Sequence, residues 1–425
     1  MFTPFQTTTQ RLPFSFPTIS NPFMPGVSPV QLGAKKQAVA KAHKGPDLPR
    51  GINFYADYSG CGHWRMIWPE LLLNSYQKAN VQGGTVMIGD KNFYRGVKTI
   101  RIQRQATKDQ LAYIKWLVGV KKEFSFNIVY EIDDLIFIED IPKYNKFRFA
   151  FEDEEIRKSS MEIMQLCDEI TVTNKFMKSY YKEKTNHKNI TVIPNFVPKF
   201  WMDRYYNLDS VKQNYQLNKK KPRILYCGSG AHFDIDNNIK QRDDFFHVND
   251  VIRRTVNKYQ WVFVGGYPLS LRDLVRDKRV EFHEWSSLVD YPNFIHKLKP
   301  NLFYAPLENN TFNKAKSDLK FIEACAMGIP IVCQDMCTYS TAFHKFNTGE
   351  ELINKIEYLI TDYKKYVKEV KRARDYMSKR WMEDNINYYT ELYSFPYADD
   401  RRRLLNLENG ISSINEERLY NTVSV

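Results

Sequence analysis

Several things are missing from this chain of 425 residues, and each absence narrows what it can be. No apolar run approaches the roughly 18 to 20 residues that would span a bilayer. The opening MFTPFQTTTQRLPFSFPTISNPFMPG has no basic n-region followed by a continuous apolar core, so it does not read as a signal peptide. Its recurring Pro and Thr read instead as an irregular arm that packs phenylalanines onto the body. The six cysteines, Cys61, Cys167, Cys227, Cys325, Cys333 and Cys337, show no CxxC spacing. Buried free thiols in a reducing compartment, hence a cytoplasmic protein, are the expectation, ahead of disulfides or a metal site. The dinucleotide fingerprint GxGxxG is absent, as are a metal-ligating constellation and any repeat of fixed short period. Acidic residues are in deficit: 49 Asp and Glu against 62 Lys and Arg leave a net charge of +13. An anionic partner fits that balance: a nucleic acid, a nucleotide or a membrane surface.

A chain of this length exceeds one core and suits two domains. From Gly51 strands and helices alternate: GINFYAD, TVMIGD, KTIRIQR and FNIVYEIDD read as strands, and MIWPELLLNSYQKA and TKDQLAYIKWLVGVKKE as helices. A helix near Glu154 to Cys167, the strand EITVTN, the helix KFMKSYYKEK and the strand NITVIPN follow. Residues from about Pro198 to Pro222 interrupt the pattern and end in NKKKP. It restarts with RILYCGSGAHFD, then a helix around Asp244 to Lys258, the strands QWVFVGG and RVEFHEW, a helix near Tyr291 to Leu298 and the strand NLFYAPL. Such alternation builds doubly wound parallel sheets. The expected organisation is an arm over 1–50, a Rossmann-like domain over 51–197, a linker over 198–222 and a second Rossmann-like domain over 223–350. Helices over 351–395 then cross back to the first domain, ahead of a C-terminal arm over 396–425.

The segment KSDLKFIEACAMGIPIV reads as loop, helix, tight turn and strand. Ser317 is the expected N-cap, Leu319, Ile322, Ala326 and Met327 fall at helical spacing, and Gly328 sits where the helix should stop. A helix N-terminus beside lysines is a ready phosphate site, and Glu323 is placed to accept hydrogen bonds from a ligand's hydroxyls. The alternative is an ordinary αβ unit. In each half the first strand runs into a glycine turn, Ser59-Gly60-Cys61-Gly62 and Gly228-Ser229-Gly230, which lets backbone approach a phosphate or a sugar. Asp133 and Asp134 close an apolar strand. Adjacent acids on a strand point to opposite faces, so at most one is expected to face a reacting centre.

The second half, through ILYCGSGAHFD, VEFHEW and FYAPLENNTFNKAKSDLKFIEACAMGIPIV, resembles the nucleotide-sugar-binding domain of GT-B glycosyltransferases, specifically the large retaining family four. The pattern Lys-Ser-x-x-Lys-x-x-Glu-Ala-x-Ala-x-Gly-x-Pro-x-Val carries the likeness. The first glycine turn with Arg65, YEIDDLIF and ITVTNKFMKSYY resemble the acceptor domain of the same enzymes, so the resemblance spans about Gly51 to Tyr393. It implies an α/β GT-B fold of two domains facing across a cleft, a nucleotide-sugar co-substrate, a UDP-sugar by expectation, and no metal in the chemistry. It implies that Ser317, Asp318 and Leu319 offer backbone N–H groups to the donor diphosphate and Lys316 and Lys320 offer charge, while Glu323 binds the ribose hydroxyls. Gly60, Gly62, Gly228, Ser229 and Gly230 would line the donor cleft. Arg65 would reach the diphosphate from the opposite domain, with a salt bridge as the alternative, and Trp285 would stack on the base, with a core position as the alternative. One of Asp133 and Asp134 would orient the acceptor hydroxyl or act as a base.

The chain departs from the family in two places. Ala315 stands where a second glutamate usually touches the donor sugar, so sugar specificity does not carry over. The Arg-then-Lys arrangement after the second glycine turn is missing too, with His232, Lys240 and Arg242 as nearby substitutes. For the acceptor, the excess of cations and a faint likeness to phage enzymes suggest 5-hydroxymethylated pyrimidine in DNA, in the cytoplasm of an infected host, with the basic run Lys364 to Arg380 along the cleft rim. A polysaccharide or lipid-linked glycan is the alternative acceptor. A non-catalytic scaffold is the alternative of another class, favoured by Ala315 and opposed by the intact KSDLK and Glu323.

Overall fold

Strand and helix alternate along the computed structural model, which describes residues 48–234 and 242–394. The expected arms up to residue 47 and from residue 396, and Lys240, lie outside the described residues. The first sheet holds β1 (Arg50–Phe54), β2 (Asn80–Gly84), β3 (Val97–Gln103), β4 (Asn127–Glu131), β5 (Glu169–Val172) and β6 (Ile190–Val192) in the order β2-β1-β3-β4-β5-β6. Every pairing is parallel, and parallel neighbours need crossovers. These include α1 (Trp68–Ser75), α2 (Lys108–Phe124), α3 (Glu154–Leu166) and α4 (Lys175–Thr185). Local chemistry sets their ends: α2 starts in a capping box between Thr107 and Gln110 and stops at Ser125 in the left-handed region, φ 54°. Ile100, Ile102, Ile128, Ile170 and Val172 fill the layer between sheet and helices.

TVMIGD, expected as a strand, is not one; the pairing falls one segment earlier, on NVQGG. Asn74 brackets Val81 with two 2.8 Å bonds, donating to its carbonyl and accepting from its N–H. Gly83 fits against the Tyr55 hydroxyl, where a Cβ would come within 1.8 Å. Tyr55 N–H closes the ladder on the Gly84 carbonyl at 2.8 Å. Local side-chain bonds, not β propensity, decide the register here.

Residues 198–222 are largely helical, with α5 at Leu208–Leu217. The second sheet holds β7 (Arg223–Cys227), β8 (Gln260–Val264), β9 (Glu281–His283), β10 (Leu302–Ala305), β11 (Ile331–Gln334) and β12 (Lys345–Phe346), all parallel, in the order β12-β11-β10-β7-β8-β9. Its helices include α6 (Asn249–Thr255), α7 (Tyr291–Leu298), α8 (Thr311–Ala315), α9 (Leu319–Ala326), α10 (Gly349–Ile360) and α11 (Tyr363–Tyr376). α6 starts later than expected because Asp243 and Asp244 are drawn into other bonds. In both sheets the first strand lies beside the point where strand order reverses, and in such sheets the crevice beyond the carboxyl ends at that point holds ligands.

α12 (Asn387–Ser394) packs on the first sheet. Thr99 Oγ1 donates to the Leu392 carbonyl and the Tyr393 hydroxyl to Asn53 Oδ1, both at 2.6 Å. The chain therefore passes between the halves twice, and the passages touch: Val197 pairs with Trp381 in an isolated parallel bridge. Between the halves, Phe312 and Ala315 of α8 are buried in the hydrophobic cluster of the first sheet.

Candidate active site

α9 is amphipathic in an informative way. Phe321, Ile322, Ala324, Cys325 and Ala326 are buried, whereas Lys320 and Glu323, three apart, form a partly exposed stripe on one face, and Lys316 stands just before the helix in extended backbone. The N–H groups of Leu319 and Lys320 have no intrahelical acceptor, as in the first turn of any α-helix. The N-cap is Asp318 rather than the expected Ser317, and it makes no side-chain cap. Both side chains are otherwise engaged. Ser317 Oγ accepts from Asn195 Nδ2 at 2.9 Å, and the Asp318 carboxylate receives Arg380 on both oxygens at 2.6 and 2.8 Å. Arg380 also donates to the Asn195 carbonyl at 2.8 Å. Asn195 and Arg380 together fix this N-terminus against the double passage between the halves.

Lys316 reaches across the cleft to Asp134, 2.9 Å from ammonium to carboxylate, and lies over the Phe312 ring. Asn174 of the first half donates to the carbonyls of Ala315 and Lys316 at 2.9 and 3.1 Å. Lys320 Nζ is 3.3 Å from His232 Nε2. His232 Nδ1 meets Asp244 Oδ2 at 2.7 Å, and Asp244 Oδ1 accepts from the Tyr144 hydroxyl, Glu308 N–H and Asn313 Nδ2. Donating Nδ1–H to Asp244 leaves Nε2 as an acceptor toward the lysine. Burial pushes the Asp244 carboxyl up to about 6 and holds His232 well below the usual imidazole range, with Lys320 and Lys316 reinforcing it. Burial also lowers Lys320 and raises Glu323 to about 7 against the pull of Lys320. Glu323 accepts from the Tyr291 hydroxyl at 3.3 Å. Taking charge from water without full pairing is what shifts these groups.

The second glycine turn is close-packed. A Cβ on Gly228 would lie 2.1 Å from the Tyr226 hydroxyl, and one on Gly230 would lie 2.8 Å from Lys146 Cδ of the first half. Ser229, partly exposed, sits between them. Trp285 is 52% exposed, so it is no core residue, and its ring leans on Gly265 at φ +89°. Arg242 stands apart from the α9 stripe, beside Glu308 at 3.4 Å and over the Phe246 ring.

Two expectations for the first half need correction. The turn at Gly60 and Gly62 offers a phosphate fewer N–H groups than expected, because Asp57 Oδ1 takes those of Ser59 and Gly62 at 2.8 and 3.2 Å and the Ser59 hydroxyl. A Cβ on Gly62 would strike the Asp57 carbonyl at 1.9 Å, so that glycine serves the turn itself. Arg65 does not open on the cleft either. It is fully buried, with Nε 2.7 Å from Glu131, and it donates through Nη1 to the Ile193 carbonyl and Asn195 Oδ1. It bears on Ser317 only at one remove, through Asn195.

Asp133 and Asp134, expected to close the strand, lie in the loop beyond β4, and their carboxylates meet different partners. Asp134 faces Lys316, and Asp133 lies 3.8 Å from Arg104. Arg104 itself bonds Asp57 at 2.5 Å and sits at φ 47°, an uncommon conformation for arginine. Arg104, Asn195, Asp244, Tyr291 and Arg380 escaped the sequence reading. Asp244, beside another acid before an apolar pair, carried the only local signal.

Two six-stranded parallel sheets facing across a cleft, joined by a double passage, make this the GT-B fold of glycosyltransferases. Anabaena HepE in complex with UDP and glucose superposes with a TM-score of 0.53 at 12% identity, covering 80% of this chain and 97% of that one. HepE in complex with UDP-glucose gives 0.51 at 13% identity over 80% and 98%. A glycosyltransferase from Rickettsia africae gives 0.52 at 13% over 82% and 99%. No protein-family profile and no curated protein matches the sequence.

Proposed function

We propose that the protein is a glycosyltransferase of the retaining family-four type, which moves a sugar from a UDP-linked donor, with retention, onto a hydroxyl acceptor. The observation that carries the reading is the mouth of α9: Lys320 and Glu323 on one face of the helix and Lys316 just ahead of its uncapped N-terminus, paired with Asp134 of the other half. UDP in the similarly folded HepE supports the choice of nucleotide. As the sugar C1–O bond to the diphosphate breaks, charge grows on the leaving oxygen. The N–H groups of Leu319 and Lys320 and the two ammonium groups stabilise it more than they stabilise the bound donor, which lowers the barrier. The acceptor oxygen bonds C1 on the face the diphosphate leaves, and its proton passes to the departing phosphate or to Asp134. Glu323 holds the ribose hydroxyls, Trp285 offers its exposed face to the base, and Ser229 flanks the diphosphate.

For the acceptor, the net charge of +13 supports 5-hydroxymethylated pyrimidine in DNA, its phosphates met by surplus lysines and arginines. Mass spectrometry of nucleosides after incubating hydroxymethylated and plain DNA with a panel of UDP-sugars tests both halves of the reading. A hexose added only to the hydroxymethylated base supports it. UDP-sugar hydrolysis, or transfer to a glycan, with DNA untouched removes the DNA acceptor and keeps the transferase. No UDP binding by calorimetry removes both.

A further inference from the structure

A cavity of about 410 Å³ lies beside the second glycine turn, between the loops that follow β7 and β8. Lys146, Gly230, Phe233, Gly266, Tyr267 and Arg272 line it. The two cations come from different halves of the chain: Lys146 from the loop after β4, and Arg272 from the start of the short helix Arg272–Arg276. No carboxylate is among the described residues that line it. The acid next to Arg272 in sequence, Asp273, is taken, gripping Arg253 at 2.7 and 2.8 Å. Lys146 is held in place by its own backbone, whose N–H donates to the Gly230 carbonyl at 3.3 Å, and its stem lies against Gly230. Glycines keep the walls bare; a Cβ on Gly266 would come within 2.6 Å of the Phe233 ring.

We propose that this cavity binds a phosphate group, with Lys146 and Arg272 as its cationic ligands. Two cations lining one cavity with no carboxylate among its described lining residues attract an anion, and a guanidinium with an ammonium matches tetrahedral phosphate oxygens. Since Lys146 belongs to the first half and Arg272 to the second, the site is complete only when the halves are together. The phosphate has two sources, the donor's diphosphate or a phosphate on the acceptor, and only the first rests on the donor reading above.

Calorimetry on the full chain separates them, using wild type, Lys146→Gln, Arg272→Gln and the double variant. Both side chains are exposed, so the variants should fold, as melting checks. The probes are inorganic pyrophosphate, UDP, uridine and a short oligothymidylate. If the donor supplies the phosphate, each single variant weakens UDP about tenfold, the scale of one charge-assisted bond, and leaves uridine unchanged. If the acceptor supplies it, UDP is unaffected, and the slope of log affinity against log salt for the oligothymidylate falls by about 0.7 per lost contact. In either case the double variant weakens pyrophosphate at least tenfold. Equal pyrophosphate binding by wild type and the double variant overturns the proposal. Glu323→Gln is the control for the donor reading: if it leaves UDP binding unchanged, that reading fails, while the pyrophosphate arm still judges the cavity.

Discussion

Lys316 and Asp134 meet across the cleft at 2.9 Å, each from a different half of the chain. Both are partly exposed, so the pair adds no more than about 1 kcal/mol to stability. Asp134→Asn should therefore melt close to wild type. If Asp134 orients the acceptor, kcat should fall at least tenfold while the UDP dissociation constant changes little. Steady-state kinetics with calorimetry decides; an unaltered kcat would move the acceptor to the Asp133–Arg104 side.

The Glu323 carboxyl, pushed up from 4.5 to about 7, ties stability to pH. Between those values the native state holds a proton that the unfolded chain has released, so its contribution is present below pH 4.5 and is lost as pH rises through 7. Glu323→Gln removes this dependence. Relative to wild type the variant should gain about 1 to 3 kcal/mol between pH 5 and pH 8 in denaturant melts without ligand. A difference that stays flat with pH would mean the carboxyl is not perturbed.

Asp244 accepts four bonds, three on Oδ1 and one on Oδ2. In Asp244→Asn the amide nitrogen must face a former donor. Turned toward His232 it would invert the imidazole tautomer and aim Nε2–H at Lys320. The expected cost is about 1 to 3 kcal/mol of stability, with a changed His232 nitrogen shift by NMR and weaker UDP binding. An unchanged tautomer would show that His232 takes its orientation elsewhere.

Arg380 grips Asp318 with both terminal nitrogens and holds the Asn195 carbonyl. Lysine keeps the charge and loses the fork. Arg380→Lys should raise KM for the donor severalfold, because the α9 N-terminus loses its brace, with a stability loss of about 1 to 2 kcal/mol. A KM equal to wild type would make Arg380 purely structural.

The fold was legible because parallel α/β units write themselves locally: apolar strand, glycine turn, amphipathic helix. Where side-chain brackets override propensity, as Asn74 does at Val81, the strand was misplaced onto TVMIGD. The site was legible because Lys320 and Glu323 share one helix and Lys316 immediately precedes it. Its supports were not, since Arg380 and Asn195 are 185 positions apart and Asp244 and Asn313 are 69 apart. At the first glycine turn, nothing in the sequence says that Asp57 folds back to take the N–H groups of Ser59 and Gly62. The basic run from Lys364 follows α11, which turns Tyr366 and Val370 inward onto α5 and spends Arg374 on Asp203, while Arg380 beyond its end is spent on Asp318, so only part of the run's charge stays outward.

The docking of α12 on the first sheet sets an order on the protein's birth. Asn53 and Thr99 find their partners in Tyr393 and Leu392, residues that leave the ribosome after the whole second sheet. N-terminal domains generally fold first during synthesis, but here the first sheet waits, with Asn53, Thr99 and the face around Gly51 uncovered while the later strands are made. A chain truncated after α11 should bind chaperones through that face and be cut by proteases in its first half, whereas its second sheet, with α10 already packed on it, should resist them.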